Sequence, residues 1–241
     1  MLKATRMAPL TDYEKYIRTE ELLALQKPAE GLSTHDEMQF QIVHQVAELW
    51  MKLVQHELAQ VVALLDEGHV GEATHLLGRI HRVQRLLLVQ LDLLDTMAPK
   101  DYMTIRTVLG HGSGQESPGF RALLRIPSET VWPAFERALG RAGVSLRAVY
   151  EAHEKHAALY RLAEALLDFD QLLQTWRQRH LMLVYRIIGA GTPSLKGKPS
   201  ELLERGMKQR FFPALWDVRD EVFAEWTKSM LEKGRDHGYH G

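Results

Sequence analysis

Two histidines, His44 and His180, are the residues of this sequence best suited to chemistry. Each stands in a row of apolar residues at helical spacing. A neutral imidazole in such a row can bind a transition metal or exchange a proton near neutral pH. It can equally be a core side chain bonded to a neighbouring group, since buried polar groups are usually satisfied. Spacing alone leaves both interpretations open and favours the second.

The helix expected to carry His44 is predicted from 34 to 66. Ser33 or Thr34 is the predicted N-cap, and Asp36 and Glu37 complement the dipole of the first turn. His44 shares a row with Phe40, Ala47 and Met51, because steps of three and four residues stack along a helix. Beside that row we predict a buried face of Val43, Val46, Leu49, Trp50, Leu53 and Val54.

His180 belongs to a long helical pattern predicted from 145 to 188, which contains neither glycine nor proline. It is the one strongly polar member of a row formed by Phe169, Leu173, Trp176, Val184 and Ile187. A neutral imidazole there could bind iron, while its second nitrogen would need an acceptor.

Arg106 lies near the end of a helix predicted from 99 or 100 to 109. It is either a surface charge or a clamp whose planar fork holds a carboxylate by two hydrogen bonds. Gly110, Gly112 and Gly114 follow and indicate a loop with unusual backbone dihedrals. No strand precedes them, so a dinucleotide-binding loop is not supported.

The composition excludes several classes of protein. The 241 residues carry a net charge of -1 without a basic block, which makes nucleic acid an improbable partner. There is no cysteine, so disulfides, thiolate metal sites and covalent haem attachment are ruled out. One Glu72–His75 pair has no second copy, which argues against a di-iron bundle. We find no leader or membrane-spanning stretch and predict a cytoplasmic protein.

The periodicity predicts an all-α fold, a bundle of long helices forming a single domain over 1–241. Further helices are predicted from 12 to 26, from 71 to 96, from 127 to about 140, and beyond 199. Residues 1–30 form an N-terminal arm with Tyr13 and Tyr16 on one face, an aromatic pair packing on the body or at an interface. Residues 235–241 are predicted to be a disordered tail.

Five blocks of the sequence resemble the tryptophan 2,3-dioxygenase family, within the superfamily of haem-dependent aromatic oxygenases. They occur in the family's order over nearly the whole chain. The blocks read YEKYI from Tyr13, HDEMQFQIVHQVAELW from His35, PKDYMTIRTVLG from Pro99, WRQRHLMLVYRIIG from Trp176, and FFPALWDVR from Phe211.

This resemblance implies a non-covalent b-type haem, with His180 as the proximal ligand of the iron. His44 would be the distal histidine beside the indole N–H of the substrate. The apolar pocket would then control access to the iron, as in other haem proteins. Dioxygen would add across the indole C2–C3 bond of tryptophan and yield N-formylkynurenine, with the cofactor carrying the difficult step.

The same resemblance assigns the substrate contacts. Phe40 would pack on the indole ring, Arg106 would hold the carboxylate, and Tyr102 would lie near that carboxylate. Thr192 would contact the amino acid head group, and Ser113 would lie over the distal pocket.

The family resemblance also implies a homotetramer. Tyr13 and Tyr16 would reach from the N-terminal arm into the pocket of a neighbouring subunit. This role gives a reason for aromatic residues so near the start of the chain.

Two loops depart from the family pattern. The family's G-T-G-G-(T/S) is GTPSL from Gly191 to Leu195, and its S-G-F-Q-S is SGQES from Ser113 to Ser117. A proline must change how the first loop closes. These changes indicate a variant pocket, for tryptophan or a substituted tryptophan. The alternative to dioxygenation is a monooxygenase that forms a 2-oxindole from tryptophan or β-methyltryptophan, and a non-catalytic haem- or indole-binding protein is the less favoured reading.

Overall fold

The computed structural model describes residues 9–110, 112, 114–189 and 209–236. Within these ranges the chain is helical and contains no β-strand, which confirms the predicted all-α class. The α-helices are α1 (Asp12–Ile17), α2 (Thr19–Leu23), α3 (Asp36–Glu67), α4 (Val70–Val89), α5 (Leu91–Leu94), α6 (Pro99–Val108), α7 (Pro118–Leu123), α8 (Trp132–Ala142), α9 (Leu146–Glu151), α10 (Ala157–Ile188) and α11 (Pro213–Asp236).

Three long helices form the body of the molecule, and α4 packs against both α3 and α10. The chain reverses between α3 and α4 at Gly68, whose φ of 87° lies in the left-handed region that glycine tolerates best. Buried polar side chains fix α4 against α10. His81 bonds to the Ala165 carbonyl at 2.9 Å, and the amide of Gln84 donates to the Phe169 carbonyl at 2.9 Å.

Aliphatic residues and a group of aromatic rings form the main core. Asp170, fully buried, accepts hydrogen bonds from the Phe211 backbone at 3.1 Å and from the Trp216 indole at 2.9 Å. A buried carboxylate needs such donors. This pair of bonds therefore joins the start of α11 to α10.

A smaller apolar cluster lies at the other end of the bundle, where α3, α5, α6 and α10 meet. Its buried members are Val43, Leu91, Leu94, Met97, Ile105 and Leu183, with Phe40, Leu88, Tyr102, Trp176 and Ile187 packed against it. We call this group the site cluster. Most of the residues singled out in the sequence lie on it or beside it.

Several predicted helix limits are wrong. The helix predicted from 12 to 26 is two short helices, because Arg18 adopts a left-handed φ of 54°. The helix predicted from 71 to 96 is interrupted at Gln90. The pattern from 145 to 188 is broken at 152–156, where the chain turns and the Tyr150 hydroxyl donates to Glu164 at 3.0 Å. Tertiary contacts have overridden helical propensity there.

The helix caps were partly predicted. Ser145 caps α9 as its side chain accepts from the Ala148 backbone. At the start of α3, neither Ser33 nor Thr34 caps the helix. Ser33 instead donates its N–H and hydroxyl to Glu37 at 2.6 and 2.7 Å. The predicted buried position of Leu49 is also wrong, since the side chain of this residue is half exposed.

The C-terminal helix α11 is still helical at Asp236, so the tail predicted from 235 starts too early; residues 237–241 lie outside the described residues. In the ranges described, no helix is long and apolar enough to cross a membrane. The single domain over 1–241 stays a prediction.

Candidate functional site

Helix α3 brings Phe40 and His44 together on successive turns. Their ring centroids lie 4.1 Å apart with planes inclined by 36°. The Nδ1 of His44 is 2.7 Å from the Phe40 carbonyl oxygen. A carbonyl oxygen can only accept a hydrogen bond, so Nδ1 carries the proton. The lone pair of the neutral ring is therefore on Nε2.

The surroundings of His44 favour its neutral form. Part of the residue remains accessible to water, but the protein around the ring removes enough solvent to lower its pKa. The bond to the Phe40 carbonyl and the negative charge of Glu48 oppose this decrease without cancelling it. At neutral pH the ring is thus a hydrogen-bond acceptor through Nε2.

Helix α6 supplies a phenol and a guanidinium on one face. The ring of Tyr102 lies 6.3 Å from the ring of Phe40. Burial raises the pKa of Tyr102, and the positive charge of Arg106, one turn further along α6, acts in the opposite direction. Arg106 itself is half-buried.

Helix α10 places His180 against an aromatic wall. The indole of Trp176 stacks on the imidazole with centroids 5.1 Å apart and planes inclined by 9°. The Trp176 N–H donates to the Leu87 carbonyl at 3.1 Å, which fixes the indole. Burial, followed by repulsion from His44, lowers the pKa of His180 to about 4. His180 is therefore neutral at pH 7, with a lone pair available to a metal.

The two imidazoles lie beside the same site cluster, because Phe40, which contacts His44, and Trp176, which stacks on His180, both pack against it. They come from different long helices, α3 and α10. The structure therefore brings together the two residues that the sequence singled out first.

Polar contacts from both histidine helices hold the chain just before α6. From α3, the amide of Gln39 donates to the Leu93 carbonyl and to Thr96 Oγ1, the latter at 3.2 Å. From α10, Arg179 bonds to Asp92 at 2.9 Å and to Asp95. Sequence reasoning missed both residues. The position of Arg179 beside His180 in the WRQRH block was the available signal.

The N-terminal arm lies along a polar face of α3. Glu37 accepts from the Lys27 ammonium, the Lys27 N–H donates to Gln41 at 3.0 Å, and the Gln26 amide donates to Gln45 at 2.6 Å. These contacts anchor residues 26 and 27 beside the turns that carry Phe40 and His44.

The two arm tyrosines are exposed and are not part of the site cluster. Tyr13 and Tyr16 are 71% and 88% exposed, so the structure does not bring them to the site cluster. Ser113 and Thr192, both predicted substrate contacts, lie outside the described residues. Within the described part of the chain, no three His, Cys, Asp or Glu side chains form a group that could hold a metal ion by themselves.

The fold and site thus define an all-α protein in which a neutral histidine on each of two long helices borders an aromatic-lined cluster. Comparison with known proteins agrees with that class. The family model described as tryptophan 2,3-dioxygenase matches residues 3–126 and 136–222. The chain belongs to this family, whose members are haem-dependent oxidoreductases.

Individual relatives match over nearly their whole length. The tryptophan 2,3-dioxygenase of Caulobacter vibrioides is 31% identical over 266 residues, covering 90% of this chain and 100% of the relative. That of Erythrobacter litoralis is 32% identical over 267 residues, with the same coverage. That of Myxococcus xanthus is 30% identical over 269 residues, covering 90% and 92%.

Proposed function

We propose that this chain binds haem b and adds both atoms of dioxygen across the indole C2–C3 bond of L-tryptophan, giving N-formylkynurenine. The observation that carries the proposal is the pair of neutral histidines, whose different partners support the different roles proposed for them. The names of the relatives support tryptophan as the substrate.

The donor set fits a haem. A porphyrin supplies four ligands to its iron, so a single neutral imidazole from the protein is enough to hold it. His180 would provide that ligand, since burial keeps its lone pair free of a proton at pH 7. Without cysteine in the chain, the attachment would be non-covalent. When bound, the haem iron supplies the binding and activation of dioxygen.

His44 would orient the indole. Its Nδ1–H is already committed to the Phe40 carbonyl, which leaves Nε2 to accept a hydrogen bond from the indole N–H. Phe40, in contact with the same imidazole, would pack against the indole ring. These two residues would hold the reacting C2–C3 edge in a fixed position, which is a large part of what a protein contributes to such a reaction.

Arg106 and Tyr102 would bind the other end of the substrate. A guanidinium can hold a carboxylate by two parallel hydrogen bonds. The positive charge that acts on Tyr102 would act in the same way on a substrate carboxylate placed beside it. Thr192 and Ser113 stay predicted contacts, to the head group and over the distal pocket.

We further propose a homotetramer in which the N-terminal arm enters a neighbouring subunit. The high exposure of Tyr13 and Tyr16 supports this arrangement. Other apolar side chains of the arm are exposed with them, namely Ile17, Leu22, Leu23 and Leu25. Such a contiguous set is typical of a surface that another protein covers. The cytoplasmic location stays a prediction from the sequence.

A second product is kept as a candidate because of two loop sequences. Pro193 replaces a family glycine, and Gln115 and Glu116 stand where the family has phenylalanine and glutamine. These changes support a pocket for a substituted tryptophan, such as β-methyltryptophan, with one oxygen atom inserted to give a 2-oxindole.

Mass spectrometry under labelled dioxygen separates the candidates. Haem-loaded, reduced protein is given L-tryptophan and, separately, β-methyltryptophan. Two labelled oxygens in a ring-opened product are expected. One added oxygen on an intact ring system would establish the 2-oxindole reaction instead. If the protein binds haem and tryptophan but forms no product, it is a non-catalytic haem- or indole-binding protein.

A further inference from the structure

Glu48 lies one turn after His44 on α3, and its carboxylate bonds to another helix, α7. Its carboxylate accepts a hydrogen bond from the Ser117 hydroxyl and one from the Gly119 N–H, the latter at 3.0 Å. Both donors belong to the start of α7. A carboxylate at the N-terminus of a helix with two donors is a strong and directional anchor.

The anchored residues also begin α7. Ser117 is its N-cap, since its hydroxyl oxygen accepts from the Phe120 N–H at 3.0 Å. Gly119 lets the two helices approach closely. A Cβ atom added there would lie 2.6 Å from a Glu48 carboxylate oxygen and 2.9 Å from the Cβ of Met51. Two features therefore fix the distance between α3 and α7. Glu48 binds the start of α7, and the lack of a side chain at Gly119 lets the two helices approach closely.

Helix α7 in turn reaches the proximal side of the site. The ring of Phe120 lies 5.2 Å from the ring of Trp176. Trp176 stacks on His180 and is bonded to Leu87 at its indole nitrogen. A continuous series of contacts thus runs from the helix of His44, through α7, to the ring of His180.

We propose that Glu48 is a positioning residue for the His180 imidazole. It sets the place of α7, so that Phe120 supports Trp176 and Trp176 fixes the plane of the imidazole. Residues that orient a metal ligand without touching the metal commonly change its affinity or activity by about 10- to 100-fold. This inference rests on the proposed function, because it takes His180 to be the iron ligand.

The test uses the haem-loaded full chain and two readouts other than activity. These are the iron–histidine stretching band of the ferrous protein by resonance Raman spectroscopy and the rate of haem transfer to apomyoglobin. Three variants weaken the same contact in different ways: Glu48→Ala removes both acceptors, Ser117→Ala removes one donor, and Gly119→Ala forces the helices apart.

The matched control is Glu57→Ala. Glu57 is a buried carboxylate on the same helix, and it accepts from Arg79 at 2.8 Å, away from α7. The Glu57→Ala variant shows how much the two readouts change when α3 loses a buried, charged hydrogen-bonding group far from α7. Glu48→Gln is the conservative variant, because its amide oxygen can still accept from the Gly119 N–H.

We expect Glu48→Ala and Gly119→Ala to shift the iron–histidine band and to speed haem loss about tenfold, with a smaller change for Ser117→Ala. Glu48→Gln should keep the iron–histidine band close to its wild-type position. Glu57→Ala should lower the melting temperature with the band unchanged.

Two results would overturn the inference while the proposed function stood. One is a wild-type band in Glu48→Ala. The other is a shift in Glu48→Ala but not in either Gly119→Ala or Ser117→Ala, which would assign the effect to the charge and not to the placement of α7. Stable haem binding by His180→Ala would instead contradict the proposed function, and the inference with it.

Discussion

The surroundings of the two histidines differ in kind. His44 is bonded through Nδ1 to a carbonyl, has a carboxylate one turn away, and contacts Phe40, whose ring lies 6.3 Å from that of Tyr102 on α6. His180 stacks on an indole, and the burial that lowers the pKa of both histidines is opposed at His44 by the Phe40 carbonyl and Glu48, whereas at His180 it is reinforced by His44. One imidazole therefore has a defined tautomer in a polar setting, and the other has an orientation set by packing in an apolar one.

This difference agrees with the separate tasks that we propose for the two histidines. A hydrogen bond to a carbonyl selects which nitrogen is the acceptor, as substrate recognition requires. Packing and desolvation keep a lone pair unprotonated, as a metal ligand requires. We therefore expect substitutions on the α3 and α6 side to change substrate handling, and substitutions around His180 to change haem binding.

The largest effect on activity is expected from His44→Ala. Loss of the Nε2 acceptor should lower kcat about 100-fold, the size usual for a positioned proton-handling group, while the haem absorption band is kept. His56→Ala on the same helix is the control, since His56 is exposed. Steady-state kinetics with matched haem content make the comparison. A normal kcat in His44→Ala would remove this residue from the reaction.

Arg106→Leu should act on binding more than on turnover. A lost charge-assisted hydrogen bond is worth about 1.5–3 kcal/mol, so the KM for L-tryptophan should rise about 10- to 100-fold with haem retained. The affinity for tryptamine, which lacks the carboxylate, should change little. Arg125→Leu, an exposed site on the surface, is the matched control. An equal loss of tryptamine affinity would refute the carboxylate clamp.

A smaller effect is expected from Phe40→Leu. The aromatic contact with the indole contributes about 1 kcal/mol beyond its buried area, so KM should rise about fivefold. The same variant removes the ring that contacts His44 but keeps the carbonyl that fixes its tautomer. We therefore expect kcat to stay within about twofold, and a collapse of kcat would show that the ring itself orients the imidazole.

Glu37→Gln should affect stability and leave the kinetics nearly unchanged. The hydrogen bond from Lys27, followed by that from the Ser33 N–H, lowers the pKa of the Glu37 carboxyl to about 2. The pKa of Glu37 is near 4.5 in the unfolded chain and about 2 in the folded one. The ionised carboxylate therefore stabilises the fold fully above pH 4.5, and this stabilisation is lost as the pH falls toward 2.

Denaturant unfolding at several pH values checks this expectation. At pH 7 the variant should be less stable by about 2 kcal/mol, the usual worth of a hydrogen bond to a charged group. The difference from wild type should narrow as the pH falls below 4.5. Glu72→Gln, an exposed first-turn glutamate of α4, should show no such dependence. A constant difference across pH would contradict the role given to Glu37.

The long helices were predictable because their apolar periodicity continues over many turns and agrees with their packing. The break at Arg18 was not predictable, because a left-handed φ is uncommon for a residue other than glycine, and neither was the break at 152–156, which the contact of Tyr150 with Glu164 spans. Helix α7 was missed although Ser117 and Pro118 form a standard helix start.

The candidate site, like the fold, was only partly predictable from the sequence. Periodicity placed His44 beside Phe40, and the family resemblance gave both histidines their expected roles. Other features depend on partners distant in sequence. Gln39 and Arg179 bond to the chain before α6, and Glu48 bonds to the start of α7. Such partners appear only when the chain is folded.

A side-by-side haem titration of wild type, His180→Ala and His44→Ala tests the central claim most directly, with exposed His75→Ala as control. The absorption band and the dissociation constant are measured for each protein. We predict that His180→Ala loses stable haem binding, while His44→Ala and His75→Ala bind haem as wild type does. A normal haem spectrum in His180→Ala, or loss of haem in His44→Ala alone, would contradict the division of roles between the two histidines.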